Sequence, residues 1–336
     1  MSKATFAIIA AAGAASGAGI TALIYSSRSS RSQAPIPPPT RTPAPAPTAT
    51  STSVPSPYPS QTRTPAIPAP VDPTGLFQYG FPGPVADQVS TLPLTSAFDR
   101  RTRNPSWVAE HITPESLLIK NGDRKGSSFF EDQSIPPAFR AKLTDYYRSG
   151  YDRGHQVPAA DAKWSQEAMD ATFALSNMCP QVGEGFNRDY WAHFEGFCRD
   201  LTKTYPSVRI VTGPLYLPKR DPDGKWRVSY EVIGNPPNVA VPTHFYKVIF
   251  AETGKGDTDK VALGAFVLPN ARIPNDKSLS EFEVPLEAVE RSSGLEFASK
   301  LAPERRKRLC REVKCDISVR EFPPNNNRKG LPAPGK

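Results

Sequence analysis

The chain has 336 residues, enough for one large domain or two ordinary ones, and its 38 prolines and net charge of +8 are unevenly spread. No Asp or Glu precedes Asp72, while Lys3, Arg28, Arg31, Arg41 and Arg63 carry five of the eight net charges. From Asp72 onward the chain is only mildly basic, which excludes polyanion binding by overall charge and puts any such claim on a local site.

Residues 1–31 read as a targeting or membrane segment. Ala4–Ser27 is uncharged and rich in Ala, Gly and Ile, and about 20 apolar residues suffice to cross a bilayer core. A mitochondrial presequence fused to a membrane anchor and a cleaved secretory signal both fit this stretch. The Gly13–Gly17 spacing suits helix pairing in a membrane, although chance explains it at least as well in so Ala/Gly-rich a run. Residues 32–74 are Pro, Thr, Ser and Ala with few large apolar side chains, which reads as an extended tether. Residues 75–322 form the one expected folded domain, and 323–336 a tail unlikely to pack.

Inside the domain, Leu94–Phe98 and Ser106–Thr113 alternate apolar and polar around a turn-rich Asp99–Pro105, the pattern of a hairpin. Ala138–Tyr147 and Trp164–Phe173 carry helical spacing, with Ser165 as an N-cap. Asn187–Tyr205 is the longest expected helix. Val208–Leu217, Val239–Phe250 and Val261–Leu268 read as strands, with Pro214 and Pro242 marking edges or ends. Pro285–Arg291 and Pro303–Glu312 read as short helices that begin at Pro. Strands and helices mix without regular alternation, so the fold class is α+β with antiparallel pairing.

Four histidines occur, and a neutral imidazole is the side chain best suited to take a proton from water near pH 7. His155 lies in Tyr-Asp-Arg-Gly-His-Gln-Val-Pro, a polar run dense enough to suggest a site. His111 shares a strand face with Trp107 and Ala109 and reads as packed, while His193 and His244 read as structural or surface residues. Asn187 follows a Gly-rich loop, either as a helix N-cap or as a neutral oxygen ligand to Mg²⁺. On a straight helix Glu195 would lie about 12 Å further along, so it would support such an ion through water. Cys310 and Cys315 could close a small loop, with reduced, buried thiols as the default for all four cysteines; the spacings do not suit a zinc site.

Asp152-Arg153-Gly154-His155, Ser176–Gln181 and Phe186-Asn187…Trp191…Glu195 together resemble the DNA/RNA non-specific endonucleases, above all their mitochondrial endonuclease G-like members. Asn104–His111 and Val211–Tyr216 extend the likeness over the whole expected domain. The resemblance implies a ββα-metal nuclease fold with a central, mostly antiparallel sheet flanked by helices. It implies that His155 activates the attacking water and that Asn187 is the sole direct protein ligand to Mg²⁺, with Mn²⁺ as the alternative ion. Glu195 would hold one of the ion's waters. Arg153 would offer charge to the phosphate or lock the loop through Asp152, and Asn177 would orient the surroundings of His155. The substrates would be DNA and RNA, cut with 5′-phosphate products. The protein would be a homodimer, held by its N-terminal segment in the mitochondrial inner membrane and facing the intermembrane space. Relatives usually carry an arginine near the start of the first strand, yet no Arg or Lys occurs from Leu76 to Asp99. Arg100, Arg101, Arg103 or Arg188 would then take its place, or activity would be reduced. A secreted nuclease of the same fold and a catalytically weakened nucleic-acid-binding homologue are the alternatives. Position 188 is Arg where many relatives have Gln, which could add a phosphate contact.

Overall fold

The computed structural model describes residues 75–76, 78–79, 87–254, 256 and 259–319. The expected leader, tether and tail lie outside the described residues, as do residues 77, 80–86 and 320–322 of the expected domain. Among the described residues no helix is long and apolar enough to cross a membrane.

In chain order the strands are β1 (Asp87–Ser90), β2 (Thr95–Asp99), β3 (Asn104–Ile112), β4 (Asp152–His155), β5 (Met178–Gln181), β6 (Ser207–Leu215), β7 (Lys219–Arg220), β8 (Trp226–Arg227), β9 (Val232–Ile233), β10 (Val239–Ala240), β11 (His244–Glu252), β12 (Val261–Pro269) and β13 (Arg306–Arg308). The helices are α1 (Pro114–Leu118), α2 (Leu143–Tyr146), α3 (Gln166–Ala171), α4 (Tyr190–Leu201), α5 (Leu286–Ser293) and α6 (Leu309–Glu312). Seven strands form the main sheet in the order β1-β2-β3-β6-β11-β12-β13. Every pairing in it is antiparallel except β12 with β13. The class is α+β, as expected.

Strand alternation gives the sheet two apolar faces. Ile112, Ile210, Phe245, Ile249 and Phe266 pack against Trp191, Phe194 and Leu201 of α4. Trp107, Val211, Tyr246 and Val248 pack on the other side with Leu286 and Val289 of α5. Both faces are covered, which explains why the central strands read as nearly continuous apolar runs.

The β2–β3 hairpin and α3 form as expected, and the Ser165 hydroxyl accepts the Ala168 N–H at 3.0 Å. Three expectations need correction. Val239–Phe250 is two strands, because Pro242 has no N–H to give a ladder and the chain breaks there. Pro303–Glu312 is a tight turn, the strand β13 and only then α6; the Arg306 side chain is tied to the carbonyls of Ala298 and Leu301. Ala138–Tyr147 shrinks to the four residues of α2, whose start is closed when the Asp145 carboxylate accepts the Lys142 N–H.

The default for the cysteines is also corrected in part. Cys310 and Cys315 are joined by a disulfide, and Cys179 and Cys198 are buried free thiols.

Candidate active site

β4 and β5 pair apart from the main sheet, with Asp152 opposite Gln181 and His155 opposite Met178. Gly154 is needed there because a Cβ would overlap the Gln181 side chain. This short antiparallel pair sets Asp152 and His155 at opposite ends of one strand.

His155 is buried, edge-on to Phe173 at 4.9 Å between ring centroids and tilted against Phe129 at 5.6 Å. Each of those rings also carries a guanidinium. Arg124 lies 5.3 Å from the Phe173 centroid and Arg153 lies 4.3 Å from that of Phe129. Burial first, then the positive charges of Arg124 and Arg153, push the His155 imidazole down to about 3. It is therefore neutral at physiological pH. Its Nε2 is buried with no hydrogen-bond partner among the described residues.

Asn177 closes the chain behind His155. Its side-chain oxygen accepts the Val157 N–H at 3.0 Å, and its Nδ2 donates to the carbonyls of Val157 and Thr172 at 2.9 and 2.8 Å. The peptide two residues beyond the imidazole is thus held from both sides.

Asn187 ends a wide turn over Gly183–Asn187, where Gly185 sits at φ 81° and Glu184 is extended. That conformation favours glycine at 185. The helix itself starts only at Tyr190, so Asn187 is not its N-cap and the straight-helix distance to Glu195 does not apply. Asn187 Nδ2 donates to Asp152 Oδ2 at 2.9 Å, and Arg188 Nε lies 2.9 Å from the same oxygen. With Nδ2 held by Asp152, the amide oxygen turns the other way. Asp152 is thus locked by Arg188 and Asn187, whereas Arg153 lies over Phe129.

Glu195 is half-buried on α4, and burial pushes its carboxyl up to about 7 against the opposing charges of Lys247 and Arg199. Asp161 raises it further, and Arg124 lowers it. Arg124 acts electrostatically on both His155 and Glu195, so it links the two halves of the site. Sequence reasoning missed Arg124, which sits in the three-residue turn Arg124–Gly126 and reads as a loop charge. The candidates Arg100 and Arg103 are engaged elsewhere, Arg100 with Asp87 and both over Phe139.

Of the other histidines, His193 is buried in α4. His111 meets Ser207 Oγ at 2.8 Å, and His244 meets Thr243 Oγ1 at 3.0 Å. The site does not gather them. Among the described residues no three His, Cys, Asp or Glu side chains converge to hold a metal. An ion here would depend on a neutral oxygen and on water. Mg²⁺ tolerates such a set because it retains several waters, and with Nδ2 taken by Asp152 the Asn187 amide oxygen is a neutral donor of the kind it accepts.

Residues 72–304 match the family described as DNA/RNA non-specific endonuclease. The chain belongs to that family. It is accordingly a hydrolytic endonuclease. It is 64% identical over 255 residues to the mitochondrial nuclease of Saccharomyces cerevisiae, covering 75% of this chain and 78% of the relative. It is 60% identical over 249 residues to a Schizosaccharomyces pombe protein named nuclease 1, mitochondrial, covering 74% and 77%. Among solved structures, one of an EndoG/EndoGI complex superposes with a TM-score of 0.67 at 47% identity, covering 72% of this chain and all of that one.

Proposed function

We propose that this protein is a Mg²⁺-dependent, sugar-non-specific endonuclease of mitochondria in which neutral His155 is the general base. The observation that carries this reading is the buried imidazole held between two arginine-bearing phenyl rings, on the strand whose Asp152 orients the Asn187 amide. Arg124 and Arg153 receive the scissile phosphate. The phosphate's negative charge cancels theirs and raises the basicity of His155 when substrate is bound. His155 takes a proton from water as that water attacks phosphorus, and the bond to the 3′ oxygen breaks, leaving a 5′-phosphate. Asn187 would hold Mg²⁺ through its amide oxygen, and the ion supplies charge that offsets what builds on the phosphate and the leaving oxygen; Mn²⁺ would serve the same way. Glu195 accepts a hydrogen bond from water at the site, and Asn177 fixes the chain behind His155. These contacts address the backbone and not base edges, so DNA and RNA are both substrates.

Mg²⁺-dependent digestion of plasmid DNA and RNA by the full chain tests the reading, and no cleavage of either would sink it. Arg124→Ala is expected to lower kcat/KM by about 10²-fold, in line with loss of one charge-stabilising donor. Arg100→Ala and Arg103→Ala should leave it near wild type. Equal losses in all three would remove Arg124 from the site.

The pH dependence has a definite sign. His155 is neutral from about 3 upward, so it gives no limb between pH 5 and 8. Glu195 presents two charged acceptor oxygens to water only when ionised, so kcat/KM should fall as pH drops through its carboxyl, raised by burial to about 7. Bound metal moves that limb lower. Glu195→Gln should abolish the limb, and its persistence in that variant would assign it elsewhere.

The names of the yeast relatives support the mitochondrial location. The Cys310–Cys315 disulfide supports an oxidising space over a reducing one, and the proposed placement is therefore the intermembrane space, with the N-terminal segment in the inner membrane. A homodimer is supported by Trp226, Val228, Tyr230 and Val232, exposed at alternate positions of one segment. Sedimentation velocity of the full chain reads that state directly.

A further inference from the structure

β4 and β5 pair apart from the main sheet, and one half-buried side chain ties them, with the turn that follows β5, to its end. Asn270 is the first residue past β12, where Pro269 faces His244 at the start of β11. Its N–H donates to the Thr243 carbonyl at 2.9 Å, so its backbone belongs to the main sheet. Its side chain reaches the small one. Nδ2 donates to the Pro180 carbonyl at 3.1 Å and to the Pro242 carbonyl at 2.9 Å, and Oδ1 accepts the Val182 N–H at 2.9 Å. Both amide hydrogens and the amide oxygen are thus used.

A parallel neighbour would meet Pro180 and Val182 with one N–H and one carbonyl, because such ladder bonds go to residues two apart. The Asn270 amide offers that same pair, and so extends the two-stranded sheet by one side chain. The contact with Val182 bears on the reaction. Val182 immediately precedes the wide turn, and its carbonyl accepts the Asn187 N–H at 2.9 Å. Asn270 fixes the N–H of Val182, and Asn187 is bonded to its carbonyl. Further along the same segment, the Ile273 N–H donates to the Gly185 carbonyl at 3.0 Å, inside the turn. Asn187 is therefore held twice, its side chain by Asp152 and its backbone by Val182.

We propose that Asn270 is a positioning residue for the metal ligand: its side-chain amide sets Val182 and, through Val182, the backbone of Asn187. This role rests on the nuclease reading and adds to it the part of the main sheet that aims the Asn187 oxygen. The contacts select asparagine. Aspartate has the same length but no N–H, and would turn a carboxylate toward the carbonyls of Pro180 and Pro242. Leucine has similar bulk but would leave the Val182 N–H without its acceptor.

The test reads metal binding apart from catalysis. Mn²⁺ is titrated into the full-length protein without nucleic acid, and free Mn²⁺ is followed by electron paramagnetic resonance. Asn270→Ala should weaken Mn²⁺ binding about tenfold, the loss expected when support for a metal ligand is removed. The Mg²⁺ requirement for cleavage should rise by a similar factor, with KM for DNA and the rate at saturating Mg²⁺ within about twofold of wild type. A purely structural role would lower the rate at every Mg²⁺ concentration and leave the metal affinity of the folded protein unchanged. Asn238 serves as the control. Its Nδ2 donates to the Arg140 carbonyl at 3.1 Å and to the Asp145 carboxylate at 2.7 Å, neither of them in the turn, so Asn238→Ala should keep the wild-type affinity. Unchanged Mn²⁺ affinity in Asn270→Ala, or an equal loss in Asn238→Ala, overturns the inference. If Asn270→Ala does not fold, Asn270→Ser, too short to span from Pro242 to Val182, should weaken Mn²⁺ binding about threefold or more; no loss there overturns it equally. The nuclease reading itself fails on different evidence, namely no Mg²⁺-dependent cleavage by the wild type, or Mn²⁺ binding that survives Asn187→Ala.

Discussion

Replacing His155 with Ala is expected to lower kcat by about 10³-fold, the usual worth of a positioned general base, with KM little changed. The small effect on KM follows from the separation of roles at the site. In the proposed mechanism Arg124 and Arg153 hold the phosphate, and their guanidinium groups lie over Phe173 and Phe129, not on the imidazole. Those rings stay when His155 is truncated, because Phe129 and Phe173 also pack on each other at 5.0 Å. The variant should therefore fold and bind substrate, and single-turnover cleavage with a thermal melt separates chemistry from stability. A loss confined to KM would mean that His155 binds phosphate and some other group takes the proton. The depressed imidazole sharpens the same point: removing Arg124 or Arg153 raises its pKa and so moves its titration toward neutrality.

Asn187→Ala should produce the second large loss, through the metal. Nothing else among the described residues gathers three His, Cys, Asp or Glu side chains that could hold the ion in its place. The expected result is at least a 10²-fold higher Mg²⁺ requirement, beyond what loss of a supporting hydrogen bond costs a metal site. Asp152→Asn should act in the same direction but more weakly, because it weakens the hold on the Asn187 amide and leaves Arg188 without its partner. Activity against Mg²⁺ concentration measures both. If Asn187→Ala keeps the wild-type Mg²⁺ dependence, the ion sits elsewhere.

Much of the architecture was legible because the strands and α4 carry strong periodicity. The β2–β3 hairpin and the Ser165 cap follow from turn residues and local hydrogen bonding. The misread segments share a cause, since each depends on a partner distant in sequence. β13 is extended because it adds to the edge of β12, and its Arg306 is held by carbonyls of the preceding loop. The spacing sets Asn187 at a helix start, yet the wide turn before α4 places it against Asp152, 35 residues away. Arg124 was passed over because Asp-Arg-Lys-Gly looks like a solvated turn. Only the stacking on Phe173 brings it to His155.

In the proposed mechanism a neutral His155 and an Mg²⁺ that Asn187 would hold act together on the phosphodiester backbone. The most direct measurement is the rate of plasmid DNA and RNA cleavage by the full-length protein over a Mg²⁺ series, beside His155→Ala and Asn187→Ala. The account predicts cleavage of both nucleic acids that stops with EDTA, a wild-type Mg²⁺ requirement but far lower maximum rate for His155→Ala, and a raised requirement for Asn187→Ala. Cleavage that survives EDTA, or a His155→Ala variant as fast as wild type, would contradict it.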